Sequence, residues 1–358
     1  MLLFKKNYFY HLYIFFLVLV LFFSEFSTNI VSSKNYNILD IKVEEKYDIN
    51  FDKSKVINKA FEEAFEVLIY KLIESKDRSK ISNISLMDKK NLIENFSISN
   101  EQFINNNYIA SFNVQFSKRK ILSYLNNKYI IPSSLKEIDT LLIPVLIDAD
   151  LNELYYLNQN DFYNNWNLNT KNYYLIKYIL PNEDIEDYDM IKKNINNIEN
   201  YDFKEITEKY NLKNEIILIM LKSNSQLRVF SRIKFEKNKL LLNKIFNMDN
   251  NKSEKEISNI ILDIKDNYED KWKLVNKINT SIKIPIRLSI SSSNTKLSQE
   301  LEKKLSSFDL VSKYEIEIFN NKEIIYKIIF NGNPNKLLNN LNLYNFKVDS
   351  SNIVWKIQ

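Results

Sequence analysis

Apolar and polar residues alternate along this chain in two rhythms, and their order marks out an N-terminal run followed by three folded segments. Leu39, Ile41 and Val43 alternate with Asp40, Lys42 and Glu44, a period of two that predicts a half-buried strand. From residue 54 to about 73 the spacing lengthens to i+4 through Val56, Ala60, Ala64, Leu68 and Leu72. With Ile57, Phe61 and Phe65 alongside, this predicts a long helix with a broad apolar face. Ser85-Leu86-Met87-Asp88 has capping-box spacing for a second helix over 86–95. Phe96 and Ile98, a turn at Asn105-Asn106-Asn107, and the series Tyr108, Ala110, Phe112, Val114, Phe116 predict a hairpin. Ser117 is placed to cap a further helix carrying Ile121, Leu122 and Leu125.

The pattern changes after Pro132-Ser133-Ser134. Residues 141–147 are apolar without a break, as suits a strand buried on both faces, and 173–179 and 215–221 predict two more. Helical stretches around 187–198 and 201–210 separate them, which implies a small α/β layer. Amphipathic strands at 227–235 and 240–246 extend it as a hairpin through Lys237-Asn238. A helix from 253 to about 276 then presents Ile257, Ile260, Ile261, Ile264, Tyr268, Trp272 and Val275 on one side. The last segment reads β-α-β-β-α-β, with strands at 282–290, 314–318, 324–330 and 353–357 and helices at 295–308 and 334–341. Gly332 falls between its third strand and second helix, where a positive φ is expected. The predicted fold class is α/β and α+β in three small lobes: an N-terminal α+β domain over 34–134, a central α/β domain with a long C-terminal helix over 135–277, and a ferredoxin-like βαββαβ sandwich over 278–358.

Lys5 and Lys6, the apolar stretch 12–23 and the small and polar residues up to Ser33 have the order of a signal peptide, which assigns residues 1–33 to export. The apolar stretch is shorter than the roughly 20 residues of a membrane span. The expected location is the periplasm, or the inner membrane facing the periplasm if the segment stays attached. With no cysteine there is no lipid anchor and no disulfide, so stability must come from burial. The 45% hydrophobic content is enough for full cores. Lys5, Lys6 and Glu25 together carry one positive charge, so the formal +5 falls to about +4 beyond the signal, too small an excess to predict nucleic-acid binding.

Composition also removes most catalytic chemistry. The single histidine, His11, lies inside the export segment, and there is one glycine in 358 residues. The body of the chain therefore has no imidazole base, no thiolate and no glycine-rich phosphate loop, and no cofactor is predicted. Paired carboxylates are what remains. Asp148, Asp150 and Glu153 follow the 141–147 strand at the end where α/β sheets bind ligands, and such groups serve as acid and base on glycosides. Tyr155, Tyr156, Phe162 and Trp166 come next, rings of the kind that stack on sugars or anchor an interface; Phe162 and Trp166 also have the i+4 spacing of a core pair. The acidic run 184–189 has neither the spacing nor the glycine of a calcium loop and reads as a solvated helix start.

Several of these patterns resemble an uncharacterised proteobacterial envelope family, catalogued as domain of unknown function 2066. The likeness rests on the Ala60/Ala64 helix with Leu68 and Leu72, on 108–116 running into Ser117 and Leu122 to Leu125, and on Leu142-Ile143-Pro144-Val145-Leu146. It includes Asn160 and Trp166 in their places, with Asp161 and Phe162 where the family carries proline and a first tryptophan, and ends with Phe330-Asn331-Gly332 and Trp355. The resemblance implies an envelope location and no assigned activity. The expectation is a non-enzymatic binding or scaffold protein of the cell envelope, touching the membrane only through its N-terminal segment and partnered by another envelope protein or by cell-wall glycan. The alternative is a carboxylate-dependent glycan-active enzyme or glycan-binding module.

Overall fold

The computed structural model describes residues 35–168, 171–248, 253–278, 282–308 and 310–357. Residues 1–33, expected from the sequence to be an export signal, lie outside them. Helices and strands are mixed throughout, in three separate sheets.

The first lobe contains β1 (Asn35–Lys46), α1 (Lys53–Leu72), α2 (Leu86–Leu92), β2 (Ile93–Ile104), β3 (Asn107–Ser117) and α3 (Lys118–Asn127). Its sheet is antiparallel in the order β1-β3-β2. Ala60, Ala64, Leu68 and Leu72 are fully buried, so the small residues do bring α1 close to the rest of the lobe. Strand β1 departs from simple alternation. A bulge between Ile38 and Ile41 puts Asp40 at φ 54, with its N–H on Asn113 Oδ1 at 3.0 Å. Leu39, expected inside, is 67% exposed, and Ile38 takes the buried place. Asn105 and Asn106, at φ 49 and 61, make the mirror-image turn that suits a twisted hairpin. Ser85 caps α2 through the Asp88 N–H at 3.1 Å, whereas Ser117 stands at the start of α3 without a side-chain cap bond.

The central lobe runs β4 (Ile138–Asp148), β5 (Glu153–Tyr155), α4 (Asp161–Asn165), β6 (Ile176–Ile179), α5 (Ile185–Lys193), α6 (Lys204–Glu208), β7 (Glu215–Ser223), β8 (Gln226–Phe235), β9 (Asn238–Asn247) and α7 (Glu254–Val275). Its mixed sheet has the order β5-β4-β7-β8-β9, with β6 beside the first half of β4. Leu142 and Leu146 face α7, while Leu141, Ile143, Val145 and Ile147 face α5 and α6. Cover on both sides explains why β4 is apolar without alternation. Pro144 sits mid-strand because β5 and β6 leave a gap along that edge of β4. Its carbonyl points into the gap and accepts Asn160 Nδ2 at 3.1 Å, so its missing donor costs no ladder bond.

The third lobe contains β10 (Ile284–Ser291), α8 (Thr295–Ser307), β11 (Val311–Phe319), β12 (Glu323–Phe330), α9 (Pro334–Leu343), β13 (Val348–Asp349) and β14 (Val354–Ile357). The order β11-β12-β10-β14 is that of a split βαβ sandwich, with β13 added at the edge. Gly332 does not have the expected positive φ. A Cβ there would meet Leu310 Cδ1 and Phe330 Cε1, each at 3.2 Å, so close packing and not backbone conformation is what asks for glycine. Between the first two lobes, Pro132 and Ser133 are clamped rather than loose. Ser133 donates from N and Oγ to the Leu72 carbonyl at 2.7 and 3.0 Å, and Pro132 accepts the Ile278 N–H at 2.7 Å.

Candidate functional site

The carboxylates that end β4 are bound into turns. Asp148 Oδ1 accepts the N–H groups of Asp150 and Leu151, both at 3.1 Å, and Lys222 Nζ lies 3.6 Å from its other oxygen. Asp150 reaches the neighbouring β7–β8 turn, taking the Asn224 N–H at 2.7 Å and Ser223 Oγ at 2.8 Å, bonds that hold its carboxyl below the usual range. Glu153 is exposed and accepts Tyr155 Oη at 3.0 Å. Two carboxylates serving as acid and base need a shared cleft and at least one free proton site. Here each aspartate already accepts two donors, and their work is to join two turns at the carboxyl end of the sheet.

The aromatic residues that follow do not form one surface. Phe162 and Trp166 are fully buried on the α7 side, with Tyr155 packed half-buried against the same core. Tyr156 is buried on the opposite side, with Leu157 and Ile191. No sugar ring has access to Tyr156, Phe162 or Trp166, so the four cannot act together as a stacking platform. Asn160 and Trp166 have packing roles: Asn160 caps α4 through the Phe162 N–H at 3.0 Å while holding Pro144, and Trp166 fills the core. The acidic run is likewise less solvated than expected. Asp184 caps α5, but Asp187 is fully buried, and Lys209 bridges the two at 2.6 and 2.7 Å.

A polar seam runs along α7 that was not among the expectations from sequence. Lys265, Glu269 and Lys273 follow one another at i+4 and are each at most 2% exposed. Lys265 Nζ donates to the Trp166 carbonyl at 2.5 Å and sits 5.5, 5.7 and 5.6 Å from the ring centres of Trp166, Tyr174 and Tyr178. Burial brings its pKa down to about 8. Glu269 accepts the N–H groups of Leu175 and Ile176, both at 2.9 Å, and burial raises its pKa. The seam thus ties the segment entering β6 to α7 by backbone bonds from buried ionic groups. Further along, Asp270 takes the Ser75 N–H at 2.9 Å, and Arg78 lies 3.8 Å from Asp266 and stacks on Tyr70 at 4.0 Å, so the same helix also holds the first lobe. The signal was present in the chain, as charged residues continuing an apolar i+4 stripe.

Among the described residues no group of three or more histidine, cysteine, aspartate or glutamate side chains is placed to hold a metal ion. No helix among them is long and apolar enough to cross a membrane. No family model matches the chain, and no curated protein matches it.

Proposed function

We propose that this is an exported envelope protein that works by binding, with extended segments of another polypeptide adding to its sheet edges. One observation supports the reading. Each sheet has at one edge a long strand, β2, β9 or β11, that pairs on one side only among the described residues. All three carry exposed large apolar residues: Phe103 and Ile104 on β2, Leu241 and Ile245 on β9, Ile316, Ile318 and Phe319 on β11. Unpaired backbone groups beside exposed apolar side chains are a template for another strand, and β9 offers them without a register break, whereas bulges interrupt β2 and β11. Export is supported by Lys5, Lys6 and the 12–23 run.

The test is in-cell photocrosslinking. A benzophenone side chain is placed at Phe103, Ile245 and Ile318, and at Lys193 and Lys303 as exposed helix controls. A discrete adduct with one envelope protein from an edge position, absent from the helix positions, is the expected result. Adducts equal at all sites, or none at any edge, would overturn the reading. A fusion of residues 1–40 to a reporter active only outside the cytoplasm tests export separately, and silence of the expressed reporter would sink it.

A further inference from the structure

An open groove of about 800 Å³ lies on the face of the central sheet that α5 and α6 cover only in part. Those helices pack over β4 and β7, while β8 and β9 carry the sheet past them, where Leu241 and Ile245 stand 62% and 60% exposed. Across the strands, Ile217, Arg232 and Leu241 pair in one row and line the groove, with Phe203 and Leu212 on the α6 side.

Arg232 differs from Arg228, Lys234 and Lys204, which have carboxylate partners, and from Lys239, which is exposed. Arg228 is held by Glu199 at 2.5 and 3.3 Å, Lys234 by Glu215 at 3.2 Å, and Lys204 by Glu208 at 3.6 Å. Arg232 instead stacks on Phe203, 5.4 Å from the ring centre, and gives one hydrogen bond to the Tyr201 carbonyl at 2.5 Å. Among the described residues no carboxylate lies within 4.0 Å of it, and Asp202 and Glu215 act on it only through longer-range attraction. A half-buried guanidinium held in place by a ring and a carbonyl, with donors of its fork unused, is set up for a planar anion. Four basic and three acidic side chains line the groove, a surplus of one positive charge. A half-buried guanidinium beside the apolar side chains of Leu212, Ile217 and Leu241 can fix the polar end of a small molecule whose chain lies on those walls.

We propose that this groove binds a monocarboxylate with an aliphatic chain, the carboxylate on Arg232 and the chain against Leu212, Ile217 and Leu241. The site does not depend on strand addition at the sheet edges. Calorimetric titration of the full chain with sodium octanoate tests it, with octanol as the neutral control and N-acetyl-Leu-Val with a free carboxyl as the peptide control. Octanoate is expected to bind about tenfold or more tightly than octanol, and Arg232→Met to remove that difference. Leu241→Asp alters an exposed wall residue, so it should weaken octanoate while leaving thermal unfolding unchanged. The proposal fails if octanoate does not bind, if it binds no better than octanol, or if Leu241→Asp and Arg232→Met bind it as the parent does. Binding of the peptide without octanoate would overturn the choice of ligand.

Discussion

Eleven described residues other than glycine have positive φ, and seven of them are asparagine. Asparagine tolerates the left-handed region better than most side chains because its amide bonds locally, so a chain with one glycine can still turn sharply. Asn105-Asn106, Asn152, Asn211 and Asn224 all stand at such points. The glycine that remains does something else. Gly332 packs beneath Leu310 and Phe330, where a Cβ would press on two side chains at 3.2 Å. Gly332→Ala is therefore expected to cost about 1 kcal/mol in urea unfolding, the side chains yielding slightly. Gly332→Asn should be worse, since no positive φ rewards it; equal or better stability for asparagine would contradict this account.

At the scale of elements, α7 combines an apolar face with a buried ionic stripe, and the two respond differently to pH. Lys265 titrates near 8 in the folded chain, below its unfolded value, and burial lowers Lys273 in the same direction. Between these pKa values the unfolded state binds more protons, so the contribution of Lys265 to stability is lowest below pH 8 and rises as pH climbs from about 8 towards 10. The gain between pH 7 and 9 should be on the order of 1 kcal/mol from Lys265. Above pH 10 the buried tyrosines act the other way, because Tyr178 and Tyr268 resist ionising when folded. Urea unfolding at a series of pH values checks the sign, and Lys265→Met should flatten the rise whatever its effect on stability at pH 7. A parent profile that falls from pH 8 to 9 would refute it.

For the whole molecule, the cores decide which parts stand alone. The third lobe's core consists of residues between Ile284 and Ile357, with Phe330, Tyr326, Leu301 and Leu337 fully buried. A fragment of residues 278–358 should therefore fold by itself and give a dispersed amide NMR spectrum. Phe330→Ala should cost on the order of 3 to 5 kcal/mol in that fragment, enough to unfold a small domain. A collapsed spectrum for the parent fragment would show dependence on its neighbours. The first two lobes share more: Ser133, Glu74 and Lys277 join the ends of α1 and α7, with Glu74 and Lys277 2.6 Å apart.

Periodicity along the chain was enough to determine the order and kind of nearly every element, because local spacing of apolar residues sets which face a helix or strand can bury. It placed α1, the β2–β3 hairpin, the two-sided β4 and the split βαβ lobe. It also placed Asp148, Asp150 and the aromatic series at the end of β4, but whether those residues were free to act depended on what came near them in space. Asn224, Ser223 and Lys222, over 70 residues away, take up the aspartates, and α7 closes over Trp166 and Phe162. The bulge that turns Leu39 outward hangs on Asn113, and the burial of Lys265 and the seating of Arg232 against Tyr201 and Phe203 arise where helix meets sheet. Local pattern carries no record of such long-range partners, since hydrogen bonds and charge pairs form only once the chain is packed; tertiary structure alone decided which polar groups are satisfied and which are left to bind.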